Sequence, residues 1–382
     1  MLTYKIFMYL CQQIQDNYIK LGMDNKLNTF AKRLMQARLK AKLSMEKLSE
    51  KMNGKVTKQA ISKYEKAMMA PSSATLIAMA EALDVNLDYF FRPFSFNLDQ
   101  FKVSFRKKSD TTAGDQKALE VQIQDEVERY LEIEEILDVK DDKLFSDELM
   151  PFKALESNND MVKMAQKVRE VWKLGNAPII NAMDLLEEHG IKVLLTSAPD
   201  NFDGVSGIVN EKDPVIVLNN KIALIERRRL TAMHELCHLL YNGHFSDNLT
   251  DHQKEKLCNA FANEMLLPSE LLISRFKGKD HITYAELESL STKYGISIDA
   301  IVYKLKDLGI VGEKRYRGFC IQKRKDPAFN EFLVKPRFTE EPTTRFKDMV
   351  YNALAQDLIS TSKAAALLGV SLNNVRNNAY TL

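Results

Sequence analysis

His234-Glu235-Leu236-Cys237-His238 sets two imidazoles four positions apart inside an apolar helical stretch, Leu230 to Tyr241. Residues i and i+4 of an α-helix share a face, so both rings can reach one metal ion. Glu235, one position round, can reach a water at that ion and act as its general base. Zinc suits such a set, because it takes imidazole nitrogens and a third protein ligand and keeps one position open. The chemistry expected is metal-assisted hydrolysis of an amide. The chain holds only 6 histidines, which argues against an accidental spacing.

The third ligand must lie downstream. Glu255 to Pro268 reads as a second amphipathic helix, with Glu255 and Asn259 at i and i+4. Glu264 follows Glu255 by nine positions, about 180° round an ideal helix. The two carboxylates therefore cannot both face one metal unless the helix distorts. Glu255 is the expected ligand, as in zinc peptidases whose third ligand is a glutamate on a following helix, with Glu264 in reserve. His244 is a rival, since His234, His238 and His244 have metzincin spacing. That motif needs a glycine for a sharp turn where Tyr241 stands, although Gly243 could turn the chain later. Cys237 and Cys258 read as small buried core residues.

The elements that must position these groups follow from periodicity and breakers. Helices are predicted over Met161 to Leu174 and Ala182 to His189, and strands over Gly190 to Leu195, Gly204 to Val209 and Val215 to Leu218. The metal helix, Arg227 to Tyr241, runs into Asn242-Gly243, a natural stop. Helices, a small sheet and then a metal helix predict an α+β, zincin-like metallopeptidase domain over 150–310.

Charge is unevenly spread although the net is only +2. Asp24 to Met68 carries 12 Lys/Arg against 4 Asp/Glu, whereas Leu119 to Leu149 carries 3 against 12. A basic module joined to something else suggests a nucleic-acid partner. Residues 29–92 predict an all-α domain of five short helices, with Ser44 and Thr57 as caps, Asn53-Gly54 as a turn and Pro71 as a breaker. Thr57, Lys58, Gln59, Ser62 and Lys63 lie where a major-groove helix would read DNA. With Arg38 they form the expected DNA-contacting set. Residues 30–91 resemble the lambda-repressor/Cro-like (XRE) helix-turn-helix family. The resemblance rests on Arg33, Arg38, Ser44, Leu48, Thr57-x-x-x-Ile61-Ser62-Lys63-Tyr64-Glu65, Pro71-Ser72 and Leu76-x-x-Met79-Ala80-x-x-Leu83. The turn before the reading helix is two residues longer than is usual in that family.

Residues 150–310 resemble the ImmA/IrrE metallopeptidases. The matching residues are Phe202-Asp203-Gly204, Ile216-Val217-Leu218-Asn219, Arg229-x-Thr231-x-x-His234-Glu235-Leu236-x-His238, and Glu255-x-x-x-Asn259-x-Phe261-Ala262-x-Glu264-x-Leu266-Leu267-Pro268. The resemblance implies a zinc (Zn2+) endopeptidase whose usual substrate is a helix-turn-helix repressor. With both domains in one chain, a regulator acting at its own double-stranded DNA operator is expected, as a homodimer matched to operator symmetry. A competing reading keeps the DNA module and makes the metal domain a non-catalytic sensor or partner-binding element, as in an antitoxin-like repressor.

The remainder is less specific. Residues 1–28 are expected to be an extension, with Met23 a candidate start, and 93–149 an acidic helical linker. Its long helix, Gln116 to Leu137, is expected to pack on the metal domain and to present a solvated acidic face. Residues 311–382 are expected to be a mainly helical extension, with Lys314 to Arg345 as a basic, strand-containing subdomain and 361–378 as a helical hairpin. Cys11, Cys237, Cys258 and Cys320 are scattered with no secreted-type framework, and no run approaches membrane-spanning length. A multidomain, mainly α, cytoplasmic protein with no membrane partner is the expectation.

Overall fold

The computed structural model describes residues 26–92, 94, 112–139, 146–279, 281–338 and 341–378. The expected extension over 1–28, with Met23 and Cys11, lies almost entirely outside the described residues, as does 95–111 of the acidic linker. The described chain divides into two compact units. One holds the residues up to 94 with 112–128, and the other holds those from Arg129 onward.

In the first unit, α1 (26–40) precedes α2 (Met45–Lys51), α3 (Lys58–Glu65) and α4 (Ser73–Leu83). Ser44, Thr57 and Ser72 cap the last three, each side-chain oxygen accepting from a backbone N–H of the first turn. The fifth helix is a 3-10 turn, Leu87–Phe91. Phe30, Leu34, Leu48, Ile61, Met79, Leu83 and Phe90 form the core.

Helix α5 (Ala113–Ile136) corrects the sequence expectation of a solvated acidic face, since Asp125, Glu128 and Glu134 are buried. Up to Glu128 its acids pair with the basic helical unit. Glu128 takes the fully buried Arg33 at 2.6 Å, and Asp125 takes Lys40 at 2.8 Å. The basic surplus of the first unit is thus partly neutralised from within. From Arg129 on, the same helix belongs to the second unit, where Glu134 meets the buried Lys192 at 2.9 Å.

In the second unit, α6 (Asn158–Val171) and α7 (Ala182–Glu188) lead into β1 (Lys192–Thr196), β2 (Gly204–Val209) and β3 (Asp213–Asn219). The strand order is β1-β3-β2, with β1 parallel and β2 antiparallel to β3, so β2 is an edge. Then come α8 (Ile225–Tyr241) and α9 (Asp251–Leu266), the latter opened by a Thr250/Gln253 capping box. Ile216, Leu218, Leu236, Leu240, Phe261 and Met265 are buried together beneath them. Each such side chain stabilises the fold by about 1.5–3 kcal/mol.

Beyond α10 (Ser269–Phe276), the helices α11 (Tyr284–Tyr294) and α12 (Ile298–Asp307) turn at Gly295, which is left-handed at φ 59°. The stretch expected to contain strands is helical: α13 (Glu313–Lys325) and α14 (Pro327–Val334). Asp326 caps α14 and Pro327 fills its first turn, a start signal that outweighs the aromatic spacing read as extended chain. Helix α15 (Arg345–Ala355) precedes the expected hairpin, α16 (Thr361–Leu368) and α17 (Leu372–Asn378). Among the described residues no helix is long and apolar enough to cross a membrane.

Candidate metal centre and nucleic-acid interface

Helix α8 is buried along most of its length, with His234 buried and His238 half-buried. Nε2 of His234 and Nε2 of His238 lie 3.1 Å apart. The Glu255 carboxylate, from α9, is 3.0 Å from the first nitrogen and 3.4 Å from the second. Two imidazole nitrogens that close repel unless a proton or a cation sits between them. Zinc bonds of 2.0–2.1 Å in tetrahedral geometry give ligand–ligand edges of about 3.3 Å, so the three donors fit a zinc ion.

The far side of each ring is also engaged. Nδ1 of His234 is 2.9 Å from Oδ1 of Asn259, and Nδ1 of His238 is 3.8 Å from Sγ of Cys258. Glu255, Cys258 and Asn259 occupy i, i+3 and i+4 of α9, so one helix face serves both rings. His234, His238 and Cys258 also offer donor atoms all within 4.8 Å of one another.

Glu235 is 3% exposed and accepts a hydrogen bond from Ser206 Oγ at 2.7 Å. Ser206 belongs to the edge strand β2. Gly204 lets that strand approach α8, since a Cβ there would fall 2.8 Å from Cγ2 of Thr231. Arg227 of α8 reaches back to both carboxylate oxygens of Asp203, at 2.7 and 2.9 Å. Asn219, at the end of β3, holds the preceding loop through the carbonyls of Pro199 and Phe202.

The electrostatics follow from this crowding. Burial pushes His238 down, but the bonds to Cys258 and Glu255 outweigh it and hold the imidazolium up to about 10. Burial likewise pushes Glu255 up, but the two histidines hold it well below the usual carboxylate range. The Cys258 thiol is lowered, first by its bond with Cys237 and then by His238, whereas burial raises Cys237. Such a cluster favours positive charge at His238 and negative charge at Glu255.

Glu264 and His244 lie elsewhere. Glu264 is fully buried against Lys304 at 2.5 Å, with Ser269 N–H and Gln166 as further donors. His244 lies past the end of α8 in the turn Asn242–His244, where its carbonyl accepts from the Leu155 N–H at 2.9 Å. Tyr241 is itself buried and helical, with its ring edge-on to Phe261 at 5.6 Å. Sequence reading did not single out Ser206; it took Cys258 as a buried core residue, which it is, and noted Asn259 only by its i+4 spacing from Glu255.

In the first unit, α3 presents Lys58, Gln59 and Lys63 to solvent, with Ser62 half-buried beside them and Thr57 at the cap. Ile61 and Tyr64 face the core. The turn before α3 takes two consecutive left-handed residues, Asn53 and Gly54. Arg38 is a correction. It is 8% exposed and committed to Glu65 at 2.6 and 2.8 Å and to the Leu43 carbonyl at 2.9 Å, so it closes the domain instead of facing DNA.

Comparison with known proteins agrees with both halves. Residues 34–90 match the helix-turn-helix family, and residues 186–306 match the IrrE N-terminal-like domain. The chain is similar to an uncharacterized HTH-type transcriptional regulator of Rickettsia conorii, 43% identical over 67 residues, 17% of this chain and 52% of the relative. A second such regulator, of Rickettsia prowazekii, is 42% identical over 67 residues, 17% of this chain and 50% of the relative. The chain spans about half the length of the curated relatives it matches. It therefore carries an XRE-type helix-turn-helix domain, which implies double-stranded DNA as a partner, and an IrrE/ImmA-like peptidase domain.

Proposed function

We propose that this chain is a cytoplasmic, DNA-binding transcriptional regulator whose second domain is a zinc-dependent endopeptidase acting on a repressor-type protein. The observation that carries the reading is the trio of donors, Nε2 of His234, Nε2 of His238 and the Glu255 carboxylate, 3.0–3.4 Å apart beside the buried Glu235. Zinc held there would polarise a scissile carbonyl and make water acidic enough to attack it near neutral pH.

The chain's own groups do the remaining work. Asn259 accepts from Nδ1–H of His234, which fixes the tautomer that leaves Nε2 free for the metal. Ser206 holds one oxygen of Glu235. Glu235 takes the proton from water and passes it to the leaving amine. At the operator, Gln59 can pair with adenine while Lys58 and Lys63 reach guanine or phosphate, from a homodimer on a two-fold site.

The test is to co-express candidate helix-turn-helix repressors with the wild-type chain and with Glu235→Gln. Cleavage by the wild type alone supports the peptidase. Regulation that survives Glu235→Gln unaltered overturns it and leaves a non-catalytic regulator whose metal domain senses a ligand or binds a partner.

A further inference from the structure

We infer that Cys258 is the outer partner of the metal ligand His238, orienting that imidazole through Nδ1, and is not itself a ligand; the inference rests on the metal site proposed above. The two nitrogens of one imidazole point away from each other. Nε2 of His238 faces His234 and Glu255, at 3.1 and 3.4 Å, while Nδ1 faces Sγ of Cys258 at 3.8 Å. A single ion bonded to Nε2 lies across the ring from Cys258. The sulfur therefore cannot join Glu255 around the same ion unless His238 turns over. What the sulfur can do is accept Nδ1–H, a weak but directional bond that fixes ring and tautomer.

The pattern on α9 supports this assignment. Asn259 accepts from His234 in the same way at 2.9 Å, one residue further along the same helix. Each imidazole thus has an inner face toward Glu255 and an outer face toward a side chain of α9. Metal-ligating histidines commonly give their second N–H to a carboxylate or carbonyl, and losing that partner weakens metal binding 10–100-fold. Here one outer position is filled by a thiol with 0% exposure, packed beside Cys237. Burial keeps water from competing for the ring's N–H, which makes a weak acceptor sufficient.

A pair of substitutions separates this role from packing. Cys258→Val fills the space but cannot accept a hydrogen bond, whereas Cys258→Ser keeps an acceptor in a smaller side chain. Affinity for zinc is measured on the purified full chain by competition with a chromophoric chelator, after circular dichroism shows that each variant is folded. Cobalt spectra are recorded alongside, with Glu255→Gln as a reference for the site itself. The expected result is a 10–100-fold loss in Cys258→Val, affinity within a few-fold of wild type in Cys258→Ser, and no sulfur-to-cobalt charge-transfer band in the wild type. Wild-type affinity in Cys258→Val would make Cys258 a packing residue and overturn the inference. A charge-transfer band lost in Cys258→Ser would make it a ligand, which also overturns it. If the wild type binds no metal, or binds it equally with Glu255→Gln, the metal site as assigned fails and the inference with it.

Discussion

Arg229 of α8 and Glu341 form a buried ion pair that joins that helix to a segment 112 positions downstream. The guanidinium also donates to the carbonyls of Ile179 at 2.8 Å and Tyr294 at 3.3 Å and lies over the Phe338 ring at 4.3 Å. Glu341 in turn accepts from the Ala182 N–H at the start of α7. The later segment is therefore built into the second unit around α8.

Glu341→Gln should destabilise this unit by about 3–5 kcal/mol, because Arg229 is left charged and buried. Arg229→Met combined with Glu341→Leu should recover most of the loss, since both charges then leave together. Denaturant unfolding of the three proteins checks both points. A double variant no more stable than the single one would mean that the ion pair is not the source of the effect.

Gly295 is constrained twice. Its φ is 59°, and a Cβ there would meet Nε of Arg229 at 2.5 Å. Gly295→Ala should lower the melting temperature, by more than the about 1 kcal/mol a left-handed turn alone loses when Gly becomes Ala. Gly278→Ala, also left-handed but with open space around it, gives the turn-only reference.

Two glutamates of α9 should separate cleanly. Glu255→Gln should lose bound zinc while the protein stays folded. Glu264→Gln should retain zinc but lose about 3–5 kcal/mol of stability, because Lys304 would be left buried without its partner. Metal analysis beside thermal melts decides it, and the opposite pattern would exchange the two roles.

On the DNA side, Lys58→Ala should weaken operator binding and reduce the salt slope by about 1 if it meets a phosphate. Gln59→Ala should relax sequence preference more than it lowers non-specific affinity. Arg38→Ala should instead lower the stability of the first unit, by about 1.5–3 kcal/mol for the lost charged hydrogen bonds. Anisotropy titrations at several salt concentrations, with melts alongside, distinguish these outcomes.

Glu187 gives a pH prediction. Burial pushes its carboxyl up from 4.5 to about 7, against the partial pull of Arg345. The folded state thus favours the neutral form more than the unfolded chain does. That stability is fully present below pH 4.5 and is lost as pH rises through about 7. Glu187→Gln should be more stable than wild type by about 3 kcal/mol at pH 8 and nearly equal to it below pH 4.5. Unfolding of the metal-stripped proteins at the two pH values checks it.

What the sequence made legible was local. The i, i+4 histidines, the Glu255–Asn259 spacing, and the caps at Ser44 and Thr57 all act within one or two turns of helix, where spacing dictates direction. What stayed hidden depends on partners far along the chain. Arg38 looks like a phosphate contact until Glu65, 27 positions on, is placed against it. Asp125 and Glu128 look solvated until Lys40 and Arg33 arrive. Ser206 lies 29 residues before Glu235 on a strand whose approach to α8 no periodicity reveals. Other misses were local and avoidable. The Thr250/Gln253 capping box and the Asp326-Pro327 start were both in plain view.

Glu255, Cys258 and Asn259 share little more than one turn of α9, and this makes the centre indivisible. A slip of that helix by one residue turns it about 100° and withdraws all three groups from the two imidazoles together. An ion held by His234, His238 and Glu255 would also clamp α9 against α8, since binding to the docked arrangement alone stabilises it by mass action. Under the metal site proposed above, scarcity of that ion would loosen the helix before any bond in a substrate is touched.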